Sequence, residues 1–294
     1  MKSTGVFFGI LILFSSCVKV LELDIPEHEP ALVVAGLMKD SIVEVYVGQS
    51  FPEAPSGYNG LPDCEVTISG PDLPITTFRS IPKTGYYNVP LALLKDKSYR
   101  LEVSHPNFLP VSSEEVHVDK PEILEFELDT LGGLDSIFPG YYLQLFELST
   151  ALAFPDSDFG GILIDVYIAL KDDLGRFQII QPGTVSLPNN VRYENFRDQR
   201  VIFLEKETLK QINGKLNMVF SVEIPEELQM EGRAYLQVST ISNSYKNFLQ
   251  SYYTHDRIDL ETFFAEPQYL FSNITNGHGY FGSQSTDTLS KTIR

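Results

Sequence analysis

The 294-residue chain has no tryptophan, two cysteines, five histidines, and 22 lysines and arginines against 39 aspartates and glutamates. Each shortage removes a class of function. Cys17 closes an N-terminal apolar segment, which leaves Cys64 as a lone thiol: it has no intramolecular disulfide partner and cannot build a closed, cysteine-based zinc site. A net charge of −17 repels phosphate backbones and anionic lipid surfaces, so nucleic acid is not an expected partner. Without tryptophan the broadest stacking platform for sugar rings is missing, although 15 tyrosines and 20 phenylalanines remain. Long apolar runs are also absent, since no stretch approaches the roughly 20 residues that a spanning helix needs.

What is present begins at the N-terminus. Lys2 precedes a short apolar run, Gly9-Ile10-Leu11-Ile12-Leu13-Phe14, and Ser15-Ser16 lead into Cys17. That order is the pattern of a secretory signal peptide whose cleavage leaves an N-terminal cysteine for acylation, with Phe14 departing from the usual aliphatic. Residues 1–17 are read as this leader. Residues 18–30, rich in Glu, Asp and Pro, are read as a tether between the lipid and the folded body.

From residue 31 the apolar period is two. Val43, Val45 and Val47 share a face, as do Tyr99, Leu101 and Val103, and turn clusters such as Ser69-Gly70-Pro71-Asp72 separate the runs. The longest alternation is Leu216, Met218, Phe220, Val222, Ile224. One segment breaks the rule: Tyr245, Phe248, Leu249, Tyr252 and Tyr253 recur at helical spacing behind Ser242 and Asn243, either able to cap. A further turn of helix is expected over 207–213, stopped by Gly214. The chain is therefore mainly β, with two antiparallel β-sandwich-like (Ig-like) domains over 31–120 and 121–284, the second carrying one amphipathic helix. Through Gly85-Tyr86-Tyr87-Asn88-Val89 and Lys97-Ser98-Tyr99-Arg100-Leu101 the first also resembles transthyretin-like modules. The polar, aperiodic 285–294 are read as a fraying tail.

Catalytic motifs are missing: no Gly-x-Ser-x-Gly elbow, phosphate-binding loop, His-Glu-x-x-His or dinucleotide fingerprint occurs, so neither enzyme activity nor a cofactor is expected. The histidines do not pair at metal-ligand spacing. His117 is placed on an alternating strand, and His278, inside Gly277-His278-Gly279-Tyr280, sits where glycines let backbone approach a ligand or partner. A glycine-rich tight turn explains the same residues. Asp156 and Asp158 have the two-residue offset of calcium loops, but no further acid follows at EF-hand spacing, so no metal is assigned.

Several segments together resemble one family. Pro30-Ala31-Leu32-Val33-Val34-Ala35-Gly36 after the lipidation signal, Asp63-Cys64-Glu65-Val66-Thr67-Ile68, Gly85-Tyr86-Tyr87, Tyr99-Arg100-Leu101-Glu102-Val103, and Ser272-Asn273-Ile274 through Gly277-His278-Gly279-Tyr280-Phe281-Gly282 are similar to the Bacteroidota lipoproteins of domain of unknown function 4249. Cys64 departs from that pattern, where a small apolar residue is usual. The resemblance implies an outer-membrane lipoprotein held by acyl chains on Cys17, often encoded beside TonB-dependent transporters of the SusC type, and supplies no catalytic residues. Asp-Ser/Thr followed by an aliphatic, at Ser41, Thr130, Ser136 and Thr288, resembles the O-glycosylation acceptor motif of exported Bacteroidota proteins. The expected function is that of a non-catalytic accessory to such a transporter in nutrient capture, with the helix and the His278 segment as the expected interface. The alternatives are an adhesion or envelope-structural module and, below it, a surface hydrolase.

Overall fold

The computed structural model of the chain describes residues 29–51, 60–71, 73–81, 83–183, 185–187, 194–196, 201–256 and 270–293. Cys17 and the segment read as a leader lie outside these. The described residues form three sheets and two short helices. The largest sheet runs in the order β14 (Glu194–Phe196), β15 (Val201–Glu205), β11 (Gly161–Asp172), β17 (Leu228–Ile241), β18 (His278–Ile293), β1 (Leu32–Met38), β2 (Ile42–Gln49), β6 (Tyr86–Pro90) and β5 (Arg79–Ile81), with β12 (Phe177–Ile180) also on β11. A second sheet is β13 (Val185–Ser186), β16 (Lys215–Pro225), β10 (Tyr141–Ala153) and β9 (Glu122–Phe138). The third is β4 (Leu73–Thr77), β3 (Glu65–Gly70), β7 (Ser98–His105) and β8 (Phe108–Val116).

Side-chain alternation sorts the strands onto two cores. Leu32, Val34, Val43, Val45 and Val47 of the large sheet meet Val66, Ile68, Leu101 and Val103 of the third sheet. Ile162, Ile164, Val166 and Leu236 meet Phe146, Leu148, Met218 and Phe220 of the second sheet, where Phe146 and Phe220 stack at 5.4 Å. The alternation over 216–224 is strand β16, with the expected residues buried.

Helix α1 (Lys206–Gln211) ends at Asn213 and Gly214, both at positive φ. Helix α2 (Asn243–Asp256) carries the aromatic stripe, and Ser242 Oγ accepts the Tyr245 N–H at 3.4 Å, a cap of the expected kind. The helix covers the outer face of the large sheet, packing Tyr245, Phe248, Leu249 and Tyr253 over Val201, Phe203, Ile241 and Leu37. Covered on both faces, Val201-Ile202-Phe203-Leu204 is buried without a break and shows no alternation.

Two features depart from the sequence reading. The pairing of β1 with β18 is parallel, whereas the other named ladders are antiparallel. Residues 285–293, expected to fray, are the second half of β18: they pair with β17 from Gly232 to Thr240, and Ile293 is 5 % exposed in the core. The physical reason is that the half-strand buries Ser285 and, at its far end, Ile293, with Asp287 half-buried between them, so it shows no apolar period.

Candidate functional site

The first candidate is the segment 277–280 together with α2. The structure brings them together, but places His278, Gly279 and Tyr280 at the start of β18 rather than in a loop, with the turn confined to Thr275-Asn276-Gly277. Asn273 clamps the following strand, its Nδ2 donating to the Phe281 carbonyl at 2.8 Å and its Oδ1 accepting the Phe281 N–H at 2.9 Å. Phe281 is thereby driven fully into the N-terminal core. Gly279 has φ +106, and a Cβ there would lie 2.0 Å from the Val34 carbonyl oxygen. At Gly282 a Cβ would meet Tyr245 at 2.7 Å, so glycine lets α2 sit on the strand. The Tyr280 ring lies 4.0 Å from Phe248 and 5.4 Å from Tyr245. Each of these side chains is thus engaged within the molecule, while the His278 side chain is exposed.

Below that segment runs a polar seam. The chain between β8 and β9 crosses β18, and His117 lies in this connector rather than on a strand. Its Nδ1 is 2.8 Å from Ser283 Oγ, which also accepts the Val118 N–H at 3.1 Å. Ser285 Oγ donates to the Val118 carbonyl at 2.9 Å, and Thr240 Oγ1 bonds the Asp119 carbonyl. Asp287 takes the Ile123 N–H at 2.9 Å and the Lys120 ammonium at 2.8 Å. Burial alone would raise the Asp287 pKa, but Lys120 and that N–H bring it below the usual carboxylate value. Burial pushes His117 below its ordinary value and Glu115 above its own. Glu115 Oε2 accepts from Ser242 Oγ at 3.2 Å, placing a carboxylate at the N-terminus of α2, whose first turn has no acid. These groups answer one another, as buried polar atoms must.

The calcium-like pair is separated in role. Asp158 lies 3.7 Å from the Lys206 ammonium and accepts Asn243 Nδ2 at 3.2 Å, while Asp156 lines a cleft beside α1. Among the described residues no three His, Cys, Asp or Glu side chains converge. Ser41, Thr130 and Thr288 are exposed, while the side chain of Ser136 lies outside the described set. Burial raises the Cys64 thiol pKa, and Tyr87, pushed up to about 12 mainly by burial, donates to the Leu61 carbonyl and accepts the Cys64 N–H. No described helix is long and apolar enough to cross a membrane.

Two features escaped the sequence reading. One is the cleft. The other is the β11–β12 hairpin, where Asp172 Oδ1 accepts the Leu174 N–H at 2.9 Å and the Arg176 N–H at 2.8 Å, and Oδ2 takes Arg176 Nε at 2.8 Å. The Arg176 N–H is the main cause of a lowered Asp172 pKa. This braced turn, with Gly175 at φ +76, holds Leu174, Phe177 and Ile179 out at 76 %, 55 % and 69 % exposure. An apolar-polar alternation interrupted by Asp-Asp-Leu-Gly would have been the sequence signal for it.

The fold is that of a β-rich protein whose last strand is shared by two cores. The chain belongs to the family described as Domain of unknown function (DUF4249), matched over residues 18–290. No curated protein matches it. Among solved structures it is similar to BcpA, the major pilin subunit of Bacillus cereus, at 11 % identity, 90 % of this chain, 68 % of that chain and a TM-score of 0.22. It is also similar to collagen adhesin (CNA) from S. aureus at 6 % identity, 90 % and 94 % coverage and a TM-score of 0.17. Likenesses at such TM-scores carry no argument about fold or activity.

Proposed function

We propose that the chain is a non-catalytic lipoprotein of a Bacteroidota outer membrane, acylated at Cys17, that docks on a TonB-dependent transporter of the SusC type and assists nutrient capture. In this reading each core belongs to an Ig/transthyretin-like sandwich. The observation that carries the docking is the β11–β12 hairpin. Leu174 stands on the turn and Phe177 and Ile179 on the strand that leaves it, and the turn is braced by five hydrogen bonds, including Gly175 N–H to the Asp172 carbonyl at 2.8 Å and Asp172 N–H to the Arg176 carbonyl at 2.9 Å. Holding Leu174 and Ile179 in water on a stiff element costs free energy, and a rigid apolar anchor loses little entropy when a partner covers it. The leader and tether at the N-terminus supply the membrane address.

The test is affinity capture of the tagged, full-length protein from native outer membranes in mild detergent, followed by mass spectrometry. A stoichiometric TonB-dependent transporter is expected with the wild type. The exposed pair Leu174→Glu and Ile179→Glu, folded by circular dichroism, is expected to lose it. Recovery of the protein alone or with matrix proteins would move the assignment to an adhesion or envelope-structural module.

A further inference from the structure

The cleft beside α1 has a volume of about 610 Å³ and is lined by Leu152, Phe154, Phe159 and Leu209 below and by Asp156, Lys206, Lys210 and Asn213 at the rim. That volume lies within the range of small-molecule sites. Its walls are tied: the Leu152 N–H bonds the Gly214 carbonyl at 2.9 Å, and the Gly214 N–H bonds the Leu209 carbonyl at 3.2 Å. Gly214, at φ +69, has the Leu152 carbonyl oxygen 2.2 Å from where a Cβ would stand, so any larger residue would pry strand and helix apart. Glycine therefore lets the end of β10 and the end of α1 lie against each other and fixes this wall of the cleft in the backbone.

Its chemistry is set by two lysines one helical turn apart. Lys206 is held in place, with its ammonium 4.5 Å from the centre of the Phe159 ring, 3.0 Å from the Ser157 carbonyl and 3.7 Å from Asp158. It forms a fixed cationic wall over an aromatic face. Lys210, four residues on and exposed, has no ion-pair partner among the described residues. With Lys206 paired to Asp158, Lys210 is the cation of the rim that has no ion-pair partner among the described residues, beside the lining carboxylate of Asp156.

We propose that this cleft is a binding site for a small amphipathic anion, with a flat or branched apolar body against the partly exposed Phe154 and Pro155 and a carboxylate or similar anionic group on Lys210. The site belongs to this chain alone and does not rest on the transporter reading. Phe154 and Pro155 supply the apolar contact for the body of the ligand, and Lys210 selects the charge.

Isothermal titration calorimetry with 2-naphthoate, against the neutral 2-naphthamide, tests it on the full chain. One saturable site is expected for the carboxylate, weaker binding of the amide, and a loss of carboxylate affinity as salt rises. Lys210→Gln is expected to weaken 2-naphthoate by about fivefold, the ratio that one partly exposed ion pair supplies, and to leave the amide unchanged. Lys97→Gln, an exposed lysine in another sheet's turn, is expected to change neither. No saturable binding of 2-naphthoate, equal affinity for carboxylate and amide, or a Lys210→Gln variant matching wild type would each overturn the proposal. Failure of the transporter capture would leave this result standing.

Discussion

His117 is the residue whose protonation matters most to the seam. Burial favours its neutral ring, against the attraction of Asp40 and Asp119 and with the help of Lys95. Its folded pKa lies below the usual 6.5, so its contribution to stability is complete above that value and is lost as pH falls through the folded pKa. Glu115 works in the opposite sense. Burial raises its folded pKa, so its contribution is complete below the ordinary 4.5 and is lost as pH rises through the folded value. The difference between wild type and His117→Asn isolates the imidazole. The wild-type Tm is expected to fall relative to the variant as pH drops from about 7 to about 5, the range in which histidine charges. Parallel Tm profiles would show that His117 does not titrate against folding. At the same scale, legibility depended on the partner. The cap by Ser242 follows from a neighbour three residues away, whereas the role of Ser283 depends on His117, 166 residues distant, and no local pattern encodes it.

At the level of elements, β18 carries the largest divergence between pattern and fold. Its first half pairs with β1, its second with β17, and it places Phe281 in one core and Ile293 in the other. Deleting residues 285–294 removes the Ser285 and Asp287 bonds, all of the β17–β18 ladder except the Ile241–Gln284 pair, and the buried Ile293. A loss of more than about 5 kcal/mol in urea-unfolding free energy is expected, from about 1 kcal/mol net per hydrogen bond and about 2 kcal/mol for the side chain. A truncated chain with the wild-type midpoint would mean that this half-strand contributes nothing. Strand β16 and helix α2 were legible because one face of each is apolar and the other polar. Strand β15 was not, because α2 covers its second face and every residue from Val201 to Leu204 is buried.

For the whole molecule, sharing β18 makes the two cores interdependent. The seam between Thr240, Ser283, Ser285 and the 117–119 connector adds buried hydrogen bonds that neither core makes alone. Calorimetry is expected to show one unfolding transition, with near-ultraviolet and far-ultraviolet dichroism coinciding, as cooperative units require. Two separated transitions would show that the strand does not transmit the loss of one core to the other. Taken by itself, the sequence determined the β-rich class, the aromatic helix with its cap, and the family segments, because these rest on local periodicity and on side chains that act within a few residues of themselves. Tertiary structure alone decided that β1 and β18 run parallel, that polar serines fill an interior, that Lys206 lies on Phe159, and that Leu174, Phe177 and Ile179 stand in solvent. Those outcomes depend on which distant segments share a face, and a chain's period specifies the face a residue takes without naming what will cover it.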